Sequence, residues 1–401
     1  MSKVALAFLP LATTLGGWGL AWTEAGANSL PPIICSVDDR SGAAADTGNE
    51  SFRGLEIAVD AANAQASQDA SKIEIVEYDG KLDPQLTASF AARCAEDDRA
   101  LAIIGGNPTA LAAAIIPIAS EYEIPFFMLS SAADNLTDEP APFHFRIGPA
   151  NYQDSQAIAD LLIEKGFSRP GLVYGSLPSL TDGGRAVKLA LETAGLSVVV
   201  EEAYDVNATD LSPQIINVRD ANPDILIVFP YPADGGRVLR TAAQMGLTIP
   251  IISPRSGLLR TMREIAGADG NGVLIPNTVD PARSDVAAFF DELNTRFGEH
   301  QPTLWPVLGY DAGNIVIAAL AEPEVQEALE QNDLARARIA LRDAVERIGE
   351  FSGLQGLEGS HYSFGPGQHH GSPDQNWFTF MQVEDDGATL VKADLDALTA
   401  E

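Results

Sequence analysis

Polar side chains stand where apolar runs end at several points in this chain, and those points are where chemistry could be done. One is Ile103-Ile104-Gly105-Gly106-Asn107-Pro108-Thr109. Thr109 can cap a helix starting there, whose first backbone N–H groups lack intrahelical partners and whose dipole is positive at that end. Such a helix start, with Asn107 beside it, can seat a carboxylate or another anion. Plain capping is the competing use of the same threonine. A second point is Ser130-Ser131-Ala132-Ala133-Asp134, a small polar run that offers hydroxyls, amides and one carboxylate. Tyr174, Tyr231 and Arg255 each follow an apolar run in the second half of the chain. A guanidinium presents a planar fork of donors, which suits carboxylates. Taken singly, each of these residues also has a structural or surface use.

All of this chemistry is binding, and reactive machinery is not evident. The sequence holds no GxGxxG, no Walker sequence ending in GK[ST], no GxSxG, no HExxH and no CxxC. The carboxylates are many, but no pair stands out as a general acid and base, so no catalytic residue is assigned. His361, His369 and His370 lie near the C-terminus, the last two within GPGQHHG. A metal site needs three or four ligands in fixed geometry. A glycine-rich tip supplies the opposite, so an exposed loop is expected, with no metal and no cofactor.

The elements that position the polar points are read from hydrophobic periodicity. Strands are expected at 33–37, 73–76, 101–104 and 126–129, with helices starting near Ser51, Pro84 and Thr109. A second series has strands at 171–174, 198–200, 225–229 and 249–252, with helices from about Tyr152, Gly183, Leu211 and Asp234. Alternating strands and helices imply parallel α/β sheets, which bind ligands at the carboxyl ends of their strands. Two such series imply two lobes. Further helices are expected at 284–297, 306–320 and 334–350, then a hairpin-like tail with strands at 362–364 and 377–383.

Composition narrows the function classes. The 401 residues are 46% hydrophobic, enough for two full cores, and 56 acidic against 25 basic residues leave a net charge of −31. A surface of that sign repels phosphate backbones and anionic lipid, so nucleic acid is not an expected partner. Lys3, the apolar run from Val4 to Trp22 and the small residues Ala25-Gly26-Ala27 read as a secretory signal peptide, residues 1–27. The competing reading, a membrane anchor, is weakened by Pro10 and Gly16-Gly17 inside the run. Export would place Cys35 and Cys94 in an oxidising compartment where they could pair. Two unpaired core thiols are the alternative, since Cys94 falls on one helix face with Leu86 and Phe90.

Several segments, in order, resemble the type I periplasmic binding proteins of the branched-chain amino acid (Leu/Ile/Val) class, the extracellular receptors of ABC importers. They are SFRGLEIAVDAANA, LAIIGGNPTALAAAIIPIASEYEIPFFMLSSA, FRIGPANYQDSQAIADLL with Arg146 and Gln153, NATDLSPQIINVRDANPDILIVFPYPADGGRVLRTAAQMGL, and LGYDAGNIVIAAL. The resemblance implies a two-lobed α/β fold, each lobe a mostly parallel sheet flanked by helices, joined by three crossovers near Ile147, Pro276 and Phe351. One lobe would take 28–147 plus 277–350, the other 148–276 plus 351–401. It also implies a monomeric, non-enzymatic periplasmic receptor that closes over a small-molecule ligand and docks on a membrane permease. A periplasmic sensor acting on a regulator or receptor kinase is the alternative, and an enzyme with a hidden site a third.

Residue by residue, the resemblance carries over unevenly. Thr109 matches the family's helix-start Ser or Thr that holds the ligand carboxylate, and Ser130 to Ala133 match its serine-rich loop. Asp134, in a shortened loop, stands where a carboxylate-binding Thr is common. The tyrosine of a DYG turn is replaced by SLPSLTDGG, whereas Tyr231 matches a second-lobe tyrosine. Arg255, in SPRSGLL, lies at or beside the place of the Glu that binds the ligand's α-ammonium. Guanidinium in place of that acid favours a carboxylate-bearing ligand, organic acid or amino-acid-like. Otherwise Arg255 points to solvent or pairs with Asp134 or Asp182.

Overall fold

The computed structural model describes residues 29–42, 44–67, 71–137, 142–371 and 377–398, so the expected signal peptide lies outside the described residues. The first and third strands are short apolar runs stopped by an acid and a glycine, and they belong to a five-stranded parallel sheet whose order is second, first, third, fourth, fifth. In chain order its elements are β1 (Ile33–Asp38), α1 (Ala45–Gln65), β2 (Glu74–Asp79), α2 (Pro84–Glu96), β3 (Ala102–Gly105), α3 (Thr109–Glu121), β4 (Phe126–Met128) and β5 (His144–Arg146). β3 is buried along its whole length, as a central parallel strand covered on both faces must be. α2 starts by chemistry legible in the sequence: Asp83 accepts from the Gln85 and Leu86 N–H groups, with Pro84 at the first helical position.

The chain then builds α4 (Asn151–Lys165), β6 (Pro170–Gly175), α5 (Pro178–Thr193), β7 (Val200–Tyr204), α6 (Ser212–Ala221), β8 (Ile225–Phe229), α7 (Pro232–Gln244), β9 (Ile251–Ile252), α8 (Arg260–Ala266) and β10 (Leu274–Asn277). Next come α9 (Ser284–Phe297), α10 (Leu304–Leu320), α11 (Pro323–Glu330) and α12 (Leu334–Arg347). The last elements are β11 (Glu350–Phe351), β12 (Tyr362–Ser363), β13 (Thr379–Glu384) and β14 (Thr389–Lys392). The second sheet has seven strands, ordered β14-β13-β10-β9-β8-β6-β7. β6 to β10 run parallel, and β13 and β14 add antiparallel at one edge.

α10 belongs with the first sheet and lies against α1 at very short range. A Cβ on Gly54 would sit 1.8 Å from the Pro306 carbonyl, and one on Gly309 would sit 1.8 Å from that of Ser51. Glycine at both positions lets the two backbones touch, which brings the start of α10 to the strand ends of the first sheet. Where the chain crosses between the sheets, one polar knot joins three segments. Asp311 of α10 accepts from Leu354 N at 2.9 Å, Gln355 N at 3.1 Å and the Tyr362 hydroxyl at 2.9 Å. Gln355 in turn accepts from Thr278 at 2.8 Å and donates to the Ile147 carbonyl at 3.1 Å. Among the described residues, Ile147, Thr278 and the Leu354–Gln355 pair are thus tied together at one point.

Several expectations need correcting. α1 starts at Ala45, ahead of Ser51, and β7 covers Val200–Tyr204 in place of 198–200. Its Glu201 and Glu202 disguise it: β7 is an edge strand, where solvated charges are tolerated. The tail is no single hairpin, since β12 pairs with β11 while β13 joins the second sheet. The histidine segment is an exposed loop only in part: 366–368 are exposed, but the histidines are drawn inwards. Arg146 N donates to the His369 carbonyl and Gly371 N to that of Arg146, so 369–371 run beside β5. His369 stacks on Phe145 and bonds Glu346 at 2.9 Å. Finally, Cys35 of β1 and Cys94 of α2 are joined in a disulfide with their Cα atoms 6.0 Å apart, so the paired reading holds.

Candidate functional site

The carboxyl ends of β3 and β4 carry the two polar loops side by side, because the strands are neighbours in the parallel sheet. Gly105 and Gly106 make the turn off β3 with φ of 146° and 77°, and a Cβ on Gly105 would lie 2.2 Å from the Val37 carbonyl. The chain then enters α3 at Thr109. Leu111 N and Ala112 N turn back to the Pro108 carbonyl, whereas the N–H groups of Thr109 and Ala110 have no acceptor among the described residues. The Thr109 hydroxyl is half-exposed and receives a long contact, 3.4 Å, from Ala133 N.

Asn107 stitches the loops together beneath that surface. It is fully buried, donates from its backbone N to Asp38 Oδ1 at 2.9 Å and from Nδ2 to Asp38 Oδ2 at 2.7 Å, and accepts from Ser130 N at 2.8 Å. Ser131 donates to the Gly106 carbonyl at 2.5 Å. Trp305, at the start of α10, donates from Nε1 to Ser130 Oγ at 3.1 Å and so walls the same loop. Arg146 holds the loop from below: its fully buried guanidinium donates to the carbonyls of Ser131 and Ala133 and to the Thr137 hydroxyl. Asp134 accepts from Tyr152 N at 3.1 Å, and the Ala132 carbonyl from Asn151 N at 2.8 Å, which fastens this loop to the start of α4. An acid at that helix start is favoured by the dipole.

The second sheet presents Arg255 just beyond β9. It neither points to solvent nor pairs with Asp134 or Asp182. Its Nε donates to Oδ2 of Asp154, on the first turn of α4, at 2.6 Å, with the two side chains 10% and 5% exposed. Among the described residues Nη1 and Nη2 donate to no protein atom. Burial pushes the Asp154 carboxyl up to about 6 in spite of Arg255, and the charge of Asp134 adds to that rise. Oδ1 of Asp154 is buried with no hydrogen-bond partner. Further out, Glu50 of α1 accepts from Thr303 at 2.8 Å, and burial pushes it up to about 7 against the pull of Arg53 and of Arg263 on α8.

Asn107, Thr109, Ser130, Ser131, Ala132 and Asp134 are thus brought together. Asp134 is spent on the α4 backbone, and Ser131 on holding a carbonyl. Tyr174 is turned elsewhere: its hydroxyl donates to Glu201 of β7 at 2.9 Å and its ring lies against Gly184 of α5. Tyr231 precedes α7 with 43% of its surface exposed. Sequence reasoning assigned no role to Asp38, Asp154 or Trp305, and quoted Arg146 without one. A buried aspartate at the end of a first strand is a usable signal for Asp38. The Asp154–Arg255 pair spans 101 positions and leaves none.

Comparison with known proteins bears on the family and the fold. A family model described as periplasmic binding protein matches residues 34–388. The chain is similar to Leu/Ile/Val-binding protein homolog 7 of Brucella abortus, 23% identical over 328 residues that cover 75% of this chain and 81% of the relative. It is also similar to homolog 8 of Brucella suis, 26% identical over 245 residues, covering 58% and 60%. Among solved structures, an ABC transporter substrate-binding protein from Sphaerobacter thermophilus superposes with a TM-score of 0.75 at 23% identity, covering 91% of this chain and 97% of the other. The branched-chain amino acid substrate-binding protein LivJ from Streptococcus pneumoniae, in complex with isoleucine, superposes with a TM-score of 0.74 at 19% identity, covering 90% and 100%.

Proposed function

The chain belongs to the periplasmic binding protein family, and from that premise we propose that it is the solute receptor of an ABC importer and takes a small carboxylate-bearing ligand between its lobes. The lobes are 28–147 plus 277–350 and 148–276 plus 351–401. One observation carries the ligand class: the unpaired N–H groups of Thr109 and Ala110 open beside the Thr109 hydroxyl and the Ser130 loop. A carboxylate there receives backbone donors and the positive end of α3. Binding at such a site needs no catalysis. It shifts the protein towards a closed form that a membrane permease reads.

Arg255 adds to this seat differently from a lone cation. Its charge is balanced by Asp154, so the second-lobe wall offers the donors Nη1 and Nη2 without a net charge. That wall suits the carbonyl, hydroxyl or second carboxylate of an organic acid. A second reading, an α-amino acid, is favoured by one atom, the buried and unpartnered Oδ1 of Asp154, which an ammonium would satisfy. The Streptococcus relative, described with isoleucine, is consistent with that reading.

A thermal-shift screen against aliphatic and aromatic carboxylates, amino acids and amides tests the proposal, because a ligand that binds only the native state raises its melting temperature. Stabilisation by carboxylates without an ammonium supports the organic-acid reading. Stabilisation by leucine-like amino acids alone supports the second. Stabilisation by amides and by nothing with a carboxylate sinks both.

A further inference from the structure

Asp38 is the carboxylate that, through Asn107, touches both ligand loops. It ends β1, is 2% exposed, and all its hydrogen bonds are accepted ones. Oδ1 takes Asp39 N at 2.9 Å and Asn107 N at 2.9 Å, while Oδ2 takes Asn107 Nδ2 at 2.7 Å. The direction of these bonds is not free. Ser130 N is a backbone donor, so the Asn107 atom facing it at 2.8 Å must be the carbonyl Oδ1. Nδ2 then faces Asp38, with Ser51 Oγ as its other contact at 3.2 Å. Oδ1 already takes two donors, so a proton enters at Oδ2, where the charge-assisted hold on Nδ2 is lost and, with the O–H turned to Asn107, donor meets donor. The amide of Asn107 can remove this conflict by turning over, but it then aims Nδ2 at Ser130 N and loses that bond.

We propose that Asp38 is the positioning residue of this site: as a carboxylate it holds Asn107 in the one orientation that fastens the Ser130 loop beside Thr109, and its protonation releases Ser130 and weakens ligand binding. The inference rests on the reading that these two loops carry the ligand. Burial supplies the drive for protonation, raising the Asp38 carboxyl to about 7 against its three donors and Arg40. The other charges around it are occupied. Arg40 pairs with Glu77 at 3.0 Å and lies over Phe52. Asp39 turns its carboxylate to Gly42 N and Ala44 N. Asp79, beside Asp38 in β2, accepts from Arg40 N, Ser41 and Lys81 N. From α1, Gly48 and Ser51 face it without charge. Ionised Asp38 is the competent form, so affinity rises with pH. If affinity follows the ionised fraction, it drops about tenfold between pH 8 and pH 6.

The experiment starts with the ligand-free protein labelled with 15N-serine, the Ser130 amide being assigned through Ser130→Ala. Its amide shift, followed from pH 5.5 to 8.5, is expected to titrate with a midpoint near that of Asp38. Asp38→Asn should abolish the titration, and so should Asn107→Ser, which leaves Asp38 in place but cuts the link. Calorimetric titration with benzoate and with L-leucine then reads affinity at pH 6 and pH 8, where the wild type should show the tenfold change and Asp38→Asn none. A flat Ser130 amide in the wild type, or a titration that survives both substitutions, overturns the inference. So does a probe that binds equally at both pH values. A titrating amide that neither probe perturbs leaves Asp38 standing and counts against the proposed carboxylate seat.

Discussion

Removing the guanidinium of Arg255 should destabilise the protein, and by an amount that grows with pH. Asp154 carries a raised pKa of about 6 even with Arg255 at 2.6 Å, which at 1.36 kcal/mol per unit corresponds to a net ~3 kcal/mol lost when it ionises, burial outweighing the help of Arg255. Because the folded state holds its proton more tightly than the unfolded one, stability falls as pH rises from 3.8 to about 6 and then levels off. Arg255→Ala leaves Asp154 buried without its cation, a change that costs about 3–5 kcal/mol in comparable buried pairs. The carboxyl pKa must then rise further, so the fall continues above pH 6. Urea unfolding at pH 5 and pH 8 measures it. The cost should be small at pH 5 and about 2.5 kcal/mol at pH 8, the most that protonation of Asp154 allows two units above its wild-type value, and adding Asp154→Asn should recover more than half. A cost under about 1 kcal/mol at pH 8, or one equal at both pH values, would refute the buried pair as the reason.

Other sites give independent tests. The disulfide closes a loop of 59 residues, so the double substitution Cys35→Ala and Cys94→Ala should lower stability by about 4 kcal/mol on loop-closure entropy, read by urea unfolding against the oxidised parent. Gly309→Ala should cost about 3 kcal/mol or more, because its Cβ has a carbonyl 1.8 Å away, and it should disturb Trp305, seen as altered tryptophan fluorescence. Gly246→Ala makes a useful contrast: its Cβ meets nothing, and with φ of 74° the cost is backbone strain of about 1 kcal/mol, with the fluorescence unchanged.

Much of the frame was legible because central parallel strands are nearly pure apolar runs: β1, β3 and β8 stand where periodicity put them. Edge elements were not. β7 carries two glutamates, and β5 has three residues led by a histidine, too short for any period to show. That the Asn107, Thr109 and Ser130 loops lie together was legible because all three residues follow neighbouring strands directly. The partner of Arg255 was not, for a physical reason. Whether Arg255 is a free cation depends on a helix start 101 positions away, and no local pattern reports that distance. The histidine tip looked solvated from its glycines, yet backbone pairing to Arg146 and stacking on Phe145 draw it against the first sheet.

A ligand carboxylate seated at the start of α3 is tested most directly by replacing only that group. With the compound that most stabilises the protein in the screen, calorimetry should compare the acid with its primary amide, on the wild type and on Thr109→Val. Losing charge-assisted bonds worth about 1.5–3 kcal/mol predicts that the amide binds ~10- to 100-fold more weakly than the acid to the wild type, with a smaller gap on Thr109→Val. An amide that binds as tightly as its acid would contradict the account.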